Sequence, residues 1–344
     1  MTQTIAIGAY DATDAKALAT DLDALILPDL AALGRLPEAT RQGVRALAYK
    51  GHDPLGGAQM DLLAGLKVIA NYGVGYDAID VSAANARRVL VTNTPDVLTD
   101  DVADLAVALI LAHARGVVEA AQYLGRGDWG RGVPLPLGRK VSGAPVGVLG
   151  LGRIGAQIAQ RMAGFGCPVH YWSRNHKDTP GWTYHDSPAS LAASSDFMVV
   201  ALVGGADTAG LVSAEVIAAL PPQAVVVNIS RGSTVDEEAL IAALEQGRIR
   251  GASLDVMAPG SASSGPSQCA AAAAYRIGDG RDAGGNGCPS APEYRGGSGG
   301  KARRNPGEHG VWHPLTPLGP GRPWLRGRRL DEMKAGEAAP AISR

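Results

Sequence analysis

Cysteine is scarce in this chain. Its 344 residues include three, Cys167, Cys269 and Cys288, too few for a disulfide framework, so a reducing cytoplasm suits it best. Net charge is scarce too: 32 Lys and Arg oppose 33 Asp and Glu, for a total of -1. No overall field draws the protein to nucleic acid or to a membrane surface. No apolar run approaches the length of a membrane span. The first residues lack the basic start and long apolar stretch of a signal peptide. We assign no metal ligand. What is there is 46% hydrophobic and 19% charged, the make-up of a soluble globular protein long enough for two or three domains.

These totals hide a break near Val256. The 88 residues from Met257 to Arg344 hold 17 Gly and 10 Pro, and only seven Val, Ile, Leu or Phe. So little apolar surface does not offset the entropy of ordering a chain, and we expect a disordered tail there. Charge shifts at the same point. The tail carries 12 Lys and Arg against 7 Asp and Glu, net +5, whereas the preceding part carries 20 against 26, net -6.

Before the break, short apolar runs alternate with helical stretches. Candidate strands are 5–7, 24–27, 46–49, 67–70 and 89–91, then 145–149, 168–172, 197–202, 225–229 and 252–256. This rhythm predicts α/β architecture: two doubly wound parallel sheets, the second of Rossmann type, followed by a largely irregular tail. The expected boundaries are 1–98, 99–256 and 257–344. Val102, Leu105, Ala106, Leu109 and Ile110 fall on one stripe of a long helix that would lead from the first domain to the second. Residues 125–143 read as a loop-like arm.

Between the strands at 145–149 and 168–172 stands Gly150-Leu-Gly-Arg-Ile-Gly155. Gly150 permits a tight turn, Gly152 lets a pyrophosphate approach the backbone, and Gly155 lets the helix sit close to the strand. Ile154, Ile158 and Met162 then recur at helical spacing, and the first helical N–H groups face the phosphates. The second strand ends in Ser173-Arg174, where an NAD site carries an acid for the ribose hydroxyl. A guanidinium fits a 2′-phosphate in charge and fork geometry, so the reading is NADP(H) preferred and NAD(H) possible. The alternative for Arg174 is a solvated surface side chain.

Five segments carry a family resemblance: Asn71-Tyr-Gly-Val-Gly-Tyr-Asp-Ala-Ile-Asp80, Asn93-Thr-Pro-Asp-Val-Leu-Thr-Asp-Asp-Val-Ala103, the glycine motif, Asn228-Ile-Ser-Arg-Gly-Ser-Thr-Val-Asp236 and Gly251-Ala-Ser-Leu-Asp-Val256. With them the chain resembles the D-isomer-specific 2-hydroxyacid dehydrogenases, and within them the glyoxylate, hydroxypyruvate and hydroxyphenylpyruvate reductases. The resemblance implies a flavodoxin-like substrate domain and a dinucleotide-binding domain. It implies hydride transfer from NADPH to a small 2-oxoacid, giving the D-2-hydroxy acid. Arg231 would be the catalytic clamp on the carboxylate and carbonyl, and backbone N–H groups of Val74 and Gly75 would hold the other carboxylate oxygen. Asp255 would orient the nicotinamide end, and Thr99, Arg153, Ile154 and Ile229 would complete the cofactor site. A homodimer is implied as well, with 125–143 as a contact. Two alternatives stand beside these roles: Arg231 as a structural residue bonding loop carbonyls, and Asp255 as a helix cap.

The resemblance stops after Val256. The family continues Asp-Val-Phe-x-x-Glu-Pro and, further on, Thr-Pro-His or Gln-Pro-His, with the His as proton donor and the Glu as its partner. Gly260 stands where the Glu belongs, and none of the seven His has the required context. Reading permitted codons one base later from Gln268 yields Asn-Val-Leu-Leu-Gln-Pro-His, with the His formed across the codons of Ala274 and Tyr275. We read this as a frameshift near Met257, in the gene or in its sequencing. The alternative functions are a cofactor-binding protein without catalysis and an inactive product.

Overall fold

The computed structural model describes residues 3–258 and the strand 269–270. Both sheets fall in one compact unit, Met1–Asp279. The first sheet is built from β1 (Thr4–Gly8), β2 (Leu25–Leu27), β3 (Ala46–Lys50), β4 (Val68–Asn71) and β5 (Leu90–Thr92), all parallel, in the order β2-β1-β3-β4-β5. Parallel neighbours need crossovers, and helices supply them. Asp11 starts one of these helices, Ala12–Leu22, by accepting from the N–H groups of Thr13 and Asp14. Ile5, Ile7, Leu47, Tyr49 and Ile69 are buried in its core.

The second sheet contains β6 (Val146–Leu149), β7 (Val169–Trp172), β8 (Thr183–Tyr184), β9 (Phe197–Val200), β10 (Val225–Asn228), β11 (Gly251–Leu254) and β12 (Cys269–Ala270). All pairings are parallel, in the order β12-β11-β10-β9-β6-β7-β8. The order reverses between β6 and β9, which opens a crevice at their carboxyl ends. Strands β6, β9, β10 and β11 are buried along their whole length, as continuous apolar runs covered on both faces require.

Every strand expected from the sequence is present, with ends displaced by at most two residues. Two strands were not expected. β8 and β12 are two residues each, too short for any period to register. The helix Thr99–Arg115 also needs a correction. Its buried face is Ala103, Ala106, Leu109, Ile110 and Ala114, while Val102 and Leu105 are only partly buried. Alanines on that face let it lie close against the helix Arg153–Gly164 and the second sheet. Among the described residues no helix is long and apolar enough to cross a membrane. The expected disorder of the tail falls outside the described residues, apart from Met257, Ala258 and β12.

Candidate active site

The glycine turn follows β6 directly. Gly150 adopts φ +105°, and a Cβ there would stand 2.7 Å from the Ala201 carbonyl oxygen at the end of β9. A Cβ on Gly155 would stand 2.0 Å from the Gly150 carbonyl oxygen, so only glycine lets this helix approach its strand so closely. Gly152 precedes the first helical residue, and a Cβ there would meet nothing within 4 Å. That open space beside the free N–H groups of a helix start is what a pyrophosphate needs. A cavity of about 430 Å³ opens there, lined by Gly152, Arg153, Lys177, Asp178, Pro180 and Trp182 among others. Arg153 also pairs with Asp96, 3.0 Å distant, and both side chains are exposed. Ile154 packs its side chain against the core of the second sheet, which leaves its backbone as the part available to a ligand.

At the end of β7, Ser173 is buried and its Oγ donates to the Asn175 carbonyl at 2.6 Å, shaping the loop that follows. Arg174 is exposed and has no hydrogen-bond or ion-pair partner among the described residues. Asp178 lines the cavity beside Gly152. The strand end therefore carries no acid, but the loop beyond it does.

The loop after β4 is wired through its carbonyls. The buried amide of Asn71 donates to the Gly73 and Gly75 oxygens at 3.0 and 2.9 Å, and Asn93 donates to the Val74 oxygen at 2.9 Å. With these oxygens held, the N–H groups of Val74 and Gly75 have no partner among the described residues. They are a pair of free donors at the carboxyl edge of a parallel sheet, a place suited to an anion.

Arg231 approaches the same loop from the end of β10. Its Nε and Nη2 donate to the two carboxylate oxygens of Asp77 at 3.2 and 2.9 Å, and its Nη1 donates to the Ser230 carbonyl at 2.8 Å. The Arg231 side chain lies against two glycines, its guanidinium against Gly75 and its stem against Gly204. A Cβ on Gly75 would stand 2.1 Å from Nη2, and one on Gly204 would stand 2.8 Å from Cγ. Burial pushes the Asp77 carboxyl up, but the hydrogen bonds and charge of Arg231, helped by His52, hold it below the ordinary carboxylate range. The backbone at Arg231 is fixed by Asn228 Nδ2 and Thr234 Oγ1, which both donate to its carbonyl.

Asp255 follows β11, and its N–H donates to the Asn228 carbonyl at 2.9 Å. Its carboxylate is half-buried without a partner among the described residues, and burial pushes its carboxyl up. Among the described residues no helix begins after it, so it caps none. Ile229 is buried where β10 ends. Thr99 opens the helix Thr99–Arg115 and is half-buried. No His among the described residues hydrogen-bonds to Arg231 or Asp77. Likewise no cluster of three metal-ligating side chains occurs among them.

Arg231 and the 73–75 loop thus come together, as do Gly150, Gly152 and Gly155. The sequence reading gave no role to Asp77, Asn71, Asn93 or Asp178. Asn71, Asp77 and Asn93 lie inside the quoted motifs, which was the available signal. Asp178 carried none.

The profile of the D-isomer specific 2-hydroxyacid dehydrogenase NAD-binding domain matches residues 107–268. A hydroxyphenylpyruvate reductase of Plectranthus scutellarioides is 43% identical over 215 residues, 62% of this chain and 68% of that protein. A glyoxylate/hydroxypyruvate reductase of Arabidopsis thaliana is 41% identical over 221 residues, covering 64% and 70%. Among solved structures, the NADPH-dependent glyoxylate/hydroxypyruvate reductase of Sinorhizobium meliloti, in complex with NADP and malonate, superposes with a TM-score of 0.70. It is 38% identical and covers 75% of this chain and 80% of its own.

Proposed function

This chain belongs to the D-isomer specific 2-hydroxyacid dehydrogenases, which are NAD(P)-dependent oxidoreductases, and on that premise we propose that it reduces a small 2-oxoacid with NADPH. One observation carries the reading. The fork of Arg231 lies against Gly75, in the loop whose Val74 and Gly75 N–H groups have no partner among the described residues, at the carboxyl ends of strands from both sheets. The boundaries 1–98 for substrate and 99–256 for cofactor follow from that division of labour.

The residues present fit the dinucleotide. Gly152 leaves room for the pyrophosphate, Gly155 brings up the helix start, Arg174 is free for a 2′-phosphate, and the unpartnered Asp255 carboxylate is an acceptor for a carboxamide N–H. When bound, the cofactor supplies a hydride. Arg231 binds the substrate carboxylate and carbonyl oxygen, and its charge stabilises negative charge developing on that oxygen. Val74 and Gly75 hold the second carboxylate oxygen through their N–H groups and so fix the face presented. The names of the relatives support glyoxylate, hydroxypyruvate or an aryl-pyruvate as substrate.

A homodimer of cytoplasmic location completes the proposal. Leu124, Trp129, Leu135 and Leu137 are exposed on and beyond the helix Val117–Gly125, apolar surface of the kind a partner covers. The missing proton donor we attribute to a change of reading frame. The family match runs on to residue 268, past the break read after Val256, and the one-base-shifted reading takes up the family pattern from Gln268. The test is direct. The chain should bind NADPH and, in its presence, oxamate, an isostere of a 2-oxoacid. Failure to bind NADPH would sink the proposal.

A further inference from the structure

Arg231 has five N–H donors in a rigid plane. Asp77 takes two of them, on Nε and Nη2, and the Ser230 carbonyl takes one, on Nη1. Two remain, one on each terminal nitrogen, without a partner among the described residues. The plane cannot turn without breaking the bidentate pair with Asp77. It also lies against Gly75, where even a methyl group would collide with Nη2, while Gly204 leaves room for the Arg231 stem and the Asp77 carboxylate.

We propose that Asp77 is a positioning residue that fixes the Arg231 fork so that its two remaining donors meet adjacent oxygens of one ligand, and thereby selects 2-oxoacids over simple carboxylates. The inference rests on the proposed function of the same site. Its physical basis is an opposition of two effects. The negative charge of Asp77 cancels part of the attraction of Arg231 for any anion. Its hydrogen bonds hold the fork in the one orientation that serves a carboxylate oxygen and a neighbouring carbonyl oxygen together. Charge alone would favour acetate and oxamate alike. Acetate can also set its two oxygens on the fork, but it then leaves the Val74 and Gly75 N–H groups empty; only a 2-oxoacid gives the fixed fork a carboxylate and a carbonyl oxygen while its second carboxylate oxygen meets those N–H groups.

Asp77→Asn separates the two effects, since it keeps the size and removes the charge. Gly75→Ala reaches the fork from the other side, because the new methyl group stands where Nη2 lies while Asp77 stays intact. The full-length chain, saturated with NADPH, is titrated with oxamate and with acetate by calorimetry. The unaltered chain should prefer oxamate. In both variants the preference should fall by about tenfold, the size of one charge-assisted hydrogen bond. With Asp77→Asn, acetate should bind as well as before or better. NADPH affinity should be unchanged in both. A merely structural Asp77 would weaken both ligands together. Preference for oxamate within twofold of the unaltered chain in either folded variant would overturn the inference alone. Absence of oxamate binding by the unaltered chain would overturn the proposed function as well.

Discussion

Arg174→Ala offers the cleanest measurement on the cofactor site. Arg174 has no partner among the described residues and is exposed, so its removal breaks no internal contact. The loss is then confined to what the guanidinium does for a ligand. A charge-assisted bidentate contact to a 2′-phosphate is strong, but water and salt screen it at an open strand end. We therefore expect NADPH affinity to fall about ten- to thirtyfold, the lower part of the range for such contacts. NADH lacks the phosphate and should lose less than about twofold by the same reasoning. The assay is equilibrium titration followed by cofactor fluorescence, which needs no turnover. Salt supplies a second axis. NADPH affinity should fall with ionic strength more steeply than NADH affinity, and the variant should lose that difference. Asp178 lines the cavity beside Gly152, where its charge would oppose a bound phosphate. Equal losses for both cofactors, or no loss for NADPH, would refute a 2′-phosphate role for Arg174.

Three further outcomes follow from the same structure. Arg231→Lys keeps the charge but loses the fork, so oxamate affinity in the NADPH complex should fall about tenfold or more while NADPH affinity holds; unaltered oxamate binding would remove Arg231 from the site. His170 Nδ1 and His185 Nε2 lie 2.9 Å apart, and His185 Nδ1 meets Ser190 Oγ at 2.8 Å. Burial pushes both rings below the ordinary His range, so the folded state resists protons that the unfolded chain takes up at about pH 6.5. Stability is thus complete above that pH and is lost as pH falls through the folded values; calorimetric Tm should drop on going from pH 7.5 to 5.5, and a His170→Gln, His185→Gln chain with the same drop would refute this. Finally, the proposed loss of the family His predicts turnover with glyoxylate or hydroxypyruvate lower by roughly 10² to 10⁴ than that of a chain whose codons from Gln268 are read one base later; equal rates would exclude the frameshift explanation.

Local features were legible in the sequence because their causes are local. Strands β6, β9 and β10 are unbroken apolar runs, and a buried parallel strand needs no more than that. The positive φ of Gly150 and the contact of Gly155 with the Gly150 carbonyl both arise within six residues of chain, although Gly150 also leaves room for the Ala201 carbonyl. The two-residue strands β8 and β12 escaped, since pairing with a longer neighbour defines them and no period does. The buried face of Thr99–Arg115 was misplaced by part of a turn, because alanines mark a close helix contact less visibly than leucines.

The site was decided elsewhere. Asp77 and Arg231 lie 154 residues apart, and nothing in either neighbourhood requires the other. Their pairing depends on two sheets whose carboxyl edges bring the loops together, on Gly75, whose missing side chain leaves the guanidinium its space, and on Gly204, which leaves space for the Arg231 stem and the Asp77 carboxylate. Asn71 and Asn93 hold the carbonyls of the 73–75 loop and so free its N–H groups, an arrangement that appears only when β4 and the segment after β5 are folded side by side. By itself the sequence determined the strands, the glycine turn and the family. Tertiary structure decided which donors of Arg231 are taken and which are left for a ligand, because hydrogen-bond partners are chosen by distance in space.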